Sequence, residues 1–237
     1  MTLSVSVIIP ALDEEEAIVR VLGDLPKPGQ VQDGVVFDIV VVDNGCTDRT
    51  SVRAEQMGAR VIHEPRRGYG QACLAGLAAV DSPDIILFLD GDYSDYPEEA
   101  AAVIAPIRQQ RADLVIGSRV LGERESGALL PQARAGNVLA TTLIRLLYGV
   151  RYTDLGPFRA IRYSSLQQLQ MSDRDYGWTV EMQVKAARQG LRIAEVPVRY
   201  RKRIGQSKIS GTLIGTVRAG HKILWTIFRH ARSRAAQ

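Results

Sequence analysis

The chain reads as an α/β protein: a mostly parallel sheet with helices on both faces. Three observations lead there. Short apolar runs alternate with segments of helical pattern through the first 119 residues. The runs are continuously apolar, as strands covered on both faces must be. The first, second and fourth of them stop abruptly in acidic, Asn or Gly residues.

Ser4–Ile9 is the first strand, stopped by Pro10, and Asp13–Glu16 opens an acidic helix start. Asp38–Val42 is the second strand and ends in Asp43-Asn44-Gly45; Thr47 or Asp48 can cap the next helix, which Gly58 terminates. Arg60–His63 is a third strand and Gly68–Val80 a helix of small residues. Ile85–Leu89 is the fourth strand, ending in Asp90-Gly91-Asp92, and Pro97 sits in the first turn of a helix reaching about Arg111. Leu114–Ile116 is a fifth strand, closed by Gly117-Ser118-Arg119. Beyond it, residues 118–132 read as a loop. Ala133–Tyr148 reads as a helix, Phe158–Ile161 as a strand, Trp178–Gln189 as a helix, Arg192–Val198 as a strand and Thr212–Arg232 as a closing helix. In parallel sheets ligands bind at the carboxyl ends of the strands, which is where these polar residues collect.

The composition excludes several classes. Of 237 residues, 46% are hydrophobic and 24% charged, so the chain can bury a sizeable core and is not disordered. No apolar run approaches the roughly 18–20 residues of a membrane span. The first residues lack a basic region before Asp13–Glu16, unlike a secretory signal, and Cys46 and Cys73 form neither a disulfide framework nor a metal-ligand spacing. A cytoplasmic location is expected. The net charge of +4 hides an asymmetry: residues 192–237 carry 11 Lys and Arg against the single acid Glu195, and the rest of the chain is acidic overall. A basic end on an acidic body points to an anionic partner. With 6% aromatic residues and no recognition motif, nucleic acid is not the expected one. The first strand runs into Pro-Ala-Leu-Asp-Glu rather than a Gly-rich phosphate turn, which argues against a dinucleotide-dependent oxidoreductase.

Leu87-Phe88-Leu89-Asp90-Gly91-Asp92 carries the sharpest chemistry. An apolar strand delivers two carboxylates to the sheet edge, and positions i and i+2 share one side. Their mutual repulsion is relieved by a divalent cation; Mg²⁺ or Mn²⁺ takes one or two carboxylates together with phosphate oxygens. The segment Val40–Thr50 places a second carboxylate, Asp43, at a strand end, where it can accept from a nucleobase or a ribose hydroxyl.

Together, Val7-Ile8-Ile9-Pro10-Ala11-Leu12-Asp13-Glu14-Glu15, Val41-Val42-Asp43-Asn44-Gly45-Cys46-Thr47-Asp48-Arg49-Thr50, Arg67-Gly68-Tyr69-Gly70 and Asp90-Gly91-Asp92 resemble the family-2 glycosyltransferases of GT-A fold, in order and spacing over residues 4–119. Asp154-Leu155-Gly156-Pro157-Phe158-Arg159 and Arg203-Ile204-Gly205-Gln206-Ser207-Lys208 resemble the dolichyl- and polyprenyl-phosphate sugar synthase branch, with Pro157 in place of its usual Gly. The resemblance implies a Rossmann-like GT-A domain over 1–211, with a nucleotide-sugar half (1–119) and an acceptor half (120–211), followed by a basic amphipathic helix over 212–237. It implies that Pro10, Leu12 and Glu14 line the base pocket, that Asp43 meets base or ribose and Arg67 base or phosphate. Asp90, Gly91 and Asp92 would meet the diphosphate, with Asp90 and Asp92 holding Mg²⁺ or Mn²⁺; Ser94 stands where the branch carries Gln. Arg119, Arg159, Arg203, Ser207 and Lys208 would meet the donor diphosphate or an acceptor phosphate, and Trp178 a sugar or lipid.

The implied reaction is inverting transfer from a UDP- or GDP-sugar, with negative charge developing on the leaving diphosphate. A hydroxyl acceptor needs a general base, for which Glu181 is the first candidate and Asp154 the second. A polyprenyl phosphate is already ionised and needs none. In the closing helix, Leu213, Val217, Gly220, Leu224, Ile227 and Phe228 share one face and Arg218, Lys222 and Arg229 lie opposite, with Trp225 at the side. This pattern reads as interfacial, toward the inner membrane face or a membrane-protein partner, or else as a helix packed on the domain core or against a second copy of the chain.

Overall fold

The structure, a computed structural model, describes residues 2–205 and 213–232. Its frame is one sheet. β1 (Leu3–Ala11) lies between β3 (Val35–Asp43) and β5 (Ile85–Phe88), parallel to both. β4 (Arg60–His63) extends it in parallel beyond β3, and the two-residue β2 (Val31–Gln32) pairs antiparallel at the start of β3. On the other side come β7 (Arg159–Arg162), β6 (Leu114–Ser118) and β8 (Ile193–Pro197), in that order. β7 runs antiparallel to both β5 and β6, so it is the one reversed strand of the central run. β6 and β8 are parallel.

Successive strand residues point to opposite faces, and the two cores follow from that alternation. Val5, Val7 and Ile9 of β1, Ile39 and Val41 of β3, and Leu87 of β5 face α1 (Ala17–Asp24) and α4 (Ala100–Arg108), which is entered through a 3-10 turn at Pro97–Glu99. Ile8, Val40, Val42 and Phe88 face the other way. There they meet α3 (Tyr69–Ala78), α5 (Pro131–Tyr148), α6 (Tyr163–Leu169) and α7 (Trp178–Arg188). α2 (Thr50–Gln56) packs beside α1 and β4. Helices thus cover both faces, as the apolar strands require.

Three expectations are corrected. The acidic run Asp13–Glu16 precedes α1 rather than forming its first turn. Neither β2 nor α6 was anticipated, because a two-residue strand and a single seven-residue helix leave almost no periodic signal. The helix α8 (Leu213–Arg232) does not turn its whole apolar face outward: it packs on α5 and α7. Ile227 is fully buried, Ile223 joins the core, and Tyr148 donates its hydroxyl to the Ile227 carbonyl at 2.5 Å. Among the described side chains of α8, the large apolar residues it exposes are Trp225 and Phe228, with Lys222 and Arg229 over the Trp225 ring at 5.1 and 4.8 Å. Leu213 and Val217 have side chains outside the described residues. No helix among the described residues is long and apolar enough to cross a membrane.

Candidate active site

The carboxyl ends of β1, β3 and β5 open onto a cleft of about 590 Å³. Its floor follows directly from strand direction: Pro10, Leu12 and Glu14 come off β1, Asn44 off β3, and Asp90, Gly91 and Asp92 off β5. Arg67 enters from the turn before α3 and Tyr69 from its first position, Asp175 and Tyr176 from the segment before α7, and Arg203 from beyond β8.

The turn before α3 explains its own composition. Gly68 has φ +143°, and a Cβ there would lie 2.2 Å from the Arg174 carbonyl oxygen; one on Gly70 would lie 2.1 Å from that of Asp173. Only glycine admits this approach, which lets Gln71 N donate to Arg174 O at 2.9 Å. The same contact carries Asp175 and Tyr176 to the cleft. Asn44 fixes the turn from the other side, donating to Glu64 O and Arg66 O and accepting from Gly68 N at 2.8 Å.

The two carboxylates of the Asp-Gly-Asp strand end have different partners. Asp90 Oδ1 accepts from the Tyr69 hydroxyl at 3.0 Å. Asp92 Oδ1 accepts from Ser94 N at 2.9 Å and Ser94 Oγ at 2.6 Å, and its Oδ2 meets Arg203 Nη2 at 2.5 Å. Burial and then the Asp92 charge push the Asp90 carboxyl above the usual range, with Arg203 opposing. Three residues on, Asp95 is 1% exposed, and among the described residues neither of its carboxyl oxygens has a hydrogen-bond partner. Burial and the Asp90 charge push its carboxyl well above the usual range.

Hard oxygen donors facing a polar cleft suit Mg²⁺ or Mn²⁺, and Asp90 and Asp92 supply them. A second group, Asp13, Cys46 and Asp48, brings three potential ligand atoms within 4.8 Å of one another. It fits such a cation less well. Asp13 Oδ1 already accepts from Thr47 N and Oγ1, Asp48 accepts from Glu15 N and Thr50, and burial pushes the Cys46 thiol up to about 12.

Of the residues predicted for the site, Pro10, Leu12, Glu14, Arg67, Asp90, Gly91, Asp92 and Arg203 line this cleft. Six others do not. Asp43 is turned into its own loop, where Oδ1 accepts from Gly45 N and Cys46 N and Oδ2 from Ser51 Oγ at 2.5 Å. Burial opposes its ionisation, but these hydrogen bonds hold it at about 2. Arg119 and Asp154 are engaged with each other, through a fork of 2.8 and 2.7 Å. Arg159 is completely buried and donates to the carbonyls of Leu155, Gly156 and Thr179, which makes it a brace for the 154–159 turn rather than a phosphate contact. Burial pulls its guanidinium down to about 10.

Trp178 is 1% exposed and packs edge-on against Phe88 at 5.9 Å, so it is core and not a sugar platform. Glu181 lies in a separate polar pocket with Asp173, Lys222 and His230. It accepts from Ser172 N, Ser172 Oγ and Asp173 N and pairs with Lys185 at 2.8 Å. Burial opposes its charge, yet these partners hold its carboxyl below the usual range. Ser207 and Lys208 lie outside the described residues. Sequence reasoning missed Asn44, Tyr69, Asp175 and Tyr176 as cleft residues. Two of them had a local signal: Asn44 in the polar end of the second strand and Tyr69 between two glycines.

Comparison with known proteins is now decisive. The model of glycosyl transferase family 2 matches residues 6–170. The chain belongs to that family. It is 35% identical over 216 residues to an uncharacterized glycosyltransferase of Mycobacterium tuberculosis, spanning 90% of this chain and 93% of the relative. It is 34% identical to a dolichyl-phosphate hexose transferase of Haloferax volcanii, over 86% of each chain. A similarity of 32% identity links it to an undecaprenyl-phosphate mannosyltransferase of Micrococcus luteus, over 88% of each. Among solved structures, the transferase is similar to glucosyl-3-phosphoglycerate synthase of Mycobacterium tuberculosis in complex with Mn²⁺, UDP and glucosyl-3-phosphoglycerate, with a TM-score of 0.72, 25% identity, and coverage of 96% of this chain and 80% of that one. The fold is GT-A, and the protein is a glycosyltransferase.

Proposed function

We propose that this glycosyltransferase moves a sugar from a nucleoside-diphosphate sugar to a polyprenyl phosphate at a membrane surface. The observation that carries the acceptor is where apolar side chains are left in solvent. Eleven large hydrophobic residues are exposed among the described residues, and six of them (Val120, Leu121, Leu130, Val138, Leu139 and Leu146) fall between 120 and 146. Trp225 and Phe228 of α8 add two more. Val138, Leu139 and Leu146 lie on an outward side of α5 and are 64, 51 and 75% exposed. Neither α5 nor α8 contains an acidic residue, while together they carry Arg134, Arg145, Arg218, Lys222, Arg229 and Arg232. Apolar side chains with basic neighbours and no acids suit an anionic lipid surface. The two polyprenyl-phosphate transferases among the relatives support the same acceptor class.

The donor half of the reading rests on the cleft. Residues 10–14, 44, 67–69 and 90–92 line it from the first half of the chain, and 175, 176 and 203 from the second. In this reading the first half grips the nucleotide and the second brings the acceptor. Asp90 and Asp92 would hold Mg²⁺ or Mn²⁺, and the bound cation would supply positive charge against the leaving diphosphate. Arg67 and Arg203 line the same cleft, and a guanidinium fork fits phosphate oxygens geometrically. An ionised phosphate acceptor attacks without a base, which agrees with Glu181 and Asp154 both being engaged elsewhere.

A second reading has one observation in its favour. Asp175 lines the cleft, and burial followed by the Asp173 charge raises its carboxyl. A soluble hydroxyl acceptor would then use Asp175 as base, in place of Glu181 or Asp154. The similar synthase, crystallised with phosphoglyceric acid and UDP-glucose, makes that alternative concrete.

The deciding experiment supplies UDP- and GDP-sugars with Mn²⁺, with and without a short polyprenyl phosphate. Radiolabel entering the organic phase only with the lipid is the expected result. Metal-dependent donor turnover indifferent to lipid would overturn the acceptor assignment.

A further inference from the structure

We propose that Arg203 and the divalent cation are alternative partners of one oxygen, Asp92 Oδ2, and that Arg203 moves from that oxygen to the donor diphosphate when the cation binds. The proposal rests on reading Asp90 and Asp92 as the cation's ligands.

Asp92 has one oxygen to offer. Its Oδ1 is occupied by two donors from Ser94, at 2.9 and 2.6 Å. Its Oδ2 is held by the Arg203 guanidinium at 2.5 Å, within a carboxylate that is only 5% exposed. Among the described residues, Arg203 is the cation that pairs with these acids. Arg119 is spent on Asp154, Arg201 donates to the Tyr93 and Asp95 carbonyls, and Arg67 donates to the Gly45 carbonyl.

The chain delivers Arg203 deliberately. Residues 199–204 lie alongside 92–99 as a strap: Arg199 is fixed to Glu99, Arg201 N donates to Ser94 O at 2.9 Å, and Ile204 N donates to Asp92 O at 3.0 Å. The backbone on both sides of Arg203 is therefore pinned beside the acids. The 30% exposed side chain, with its rotatable stem, can carry the guanidinium away without moving the strap.

Electrostatics makes the two cations exclusive. Asp90 and Asp92 repel each other, and Arg203 neutralises one of them. A divalent ion on the same oxygen would stand against the guanidinium at a few ångströms, where like charges repel strongly in a partly buried site. The displaced fork stays in the cleft, where it lines the space a diphosphate would fill. Arg203 should thus weaken binding of the cation alone and strengthen binding of cation plus diphosphate, so that each ligand promotes the other.

The test measures Mn²⁺ binding by calorimetry and by electron paramagnetic resonance, alone and with UDP or GDP, on the full chain, R203Q, R203K and D92N. R203Q is expected to bind Mn²⁺ alone about tenfold or more tighter, the scale of one hydrogen bond to a charged group. The factor by which the diphosphate tightens Mn²⁺ should fall in the same variant, and R203K, which keeps the charge but not the fork, should lie between. Unchanged or weaker Mn²⁺ binding in R203Q, with D92N still losing it, would overturn the exchange while leaving the metal reading standing. Mn²⁺ binding by D92N equal to the unmodified chain would remove the metal reading and the exchange together.

Discussion

The Tyr69 hydroxyl donates to Asp90 Oδ1 at 3.0 Å, joining the first residue of α3 to the segment that follows β5. The bond matters because burial and Asp92 raise the Asp90 pKa, and of the three leading influences that lower it, the Arg203 charge, this hydroxyl and the Arg119 charge, the hydroxyl is the one that donates a hydrogen bond to it. A group whose pKa is raised is ionised only above that value, so metal binding should weaken as pH falls through it. Tyr69→Phe removes one stabilising donor and should move the acid limb of Mn²⁺ binding to higher pH. Affinity near pH 6.5 should drop a few-fold. A pH series of Mn²⁺ titrations on both proteins checks this, and superimposable curves would refute it.

Glu181 makes a clean separation between architecture and chemistry. Its hydrogen bonds and Lys185 hold the carboxyl below the usual range, so it contributes stability above its unfolded pKa and loses it as pH falls through the folded value. Glu181→Gln should lower the melting temperature at pH 7 by roughly 5 °C or more, since it leaves Lys185 without its counter-charge in a buried site. The penalty should shrink toward pH 4. Turnover with a polyprenyl phosphate should stay within about threefold; a hundredfold loss at unchanged stability would restore Glu181 as a base.

Asp175→Asn addresses the acceptor directly. With a phosphate acceptor, kcat should change by less than about tenfold, because no proton has to be removed. A loss of about 100-fold or more, in the range that general-base catalysis supplies, would favour a hydroxyl acceptor. Single-turnover transfer assays with each acceptor class make the comparison.

Asp95 is a buried acid three residues beyond Asp92, and its pKa is raised where that of Glu181 is lowered. Its contribution to stability is fully present below the unfolded pKa and is lost as pH rises through the folded one. Asp95→Asn keeps the shape and removes the ionisation. It should raise the melting temperature at pH 8 by about 3 °C, with the difference vanishing near pH 4. Thermal melts across that range decide, and a variant less stable at pH 8 would show that Asp95 is ionised and partnered in solution.

The exposed apolar stripe predicts behaviour on lipid. Val138→Asp with Leu146→Asp should reduce sedimentation with phosphatidylglycerol vesicles by at least about tenfold, since each substitution both removes apolar area and adds repulsion. Nucleotide binding should persist, because both side chains point away from the core. Removing residues 212–237 is a poorer test: Ile227 is fully buried and Lys222 pairs with Asp173 at 2.9 Å, so that deletion opens the fold. Equal vesicle binding by the double variant would disconnect the stripe from the membrane.

By itself the sequence determined the mostly parallel sheet, the edge at which its polar strand ends collect, and the acids that follow β5. Continuous apolar runs such as Val40–Val42 and Ile85–Leu89 force strands covered on both faces, and parallel strands send Pro10, Asn44 and Asp90 to one edge whatever the loops do. These are consequences of local pattern and chain direction. Tertiary structure alone decided which polar residues face the cleft. Asp43, Arg159 and Glu181 belong to the right types in the right segments, yet each is taken up by partners near it in space: Ser51 and the Gly45–Cys46 amides, the Leu155 and Thr179 carbonyls, Ser172 with Lys185. A buried charge must be satisfied somewhere, and whether its nearest satisfaction is a protein group or the open cleft depends on distances that spacing along the chain does not encode. The same reason brought Asp175, Tyr176 and Arg203 to the cleft across more than 80 residues of chain. It also divided α8 between a buried edge at Ile227 and an exposed one at Trp225.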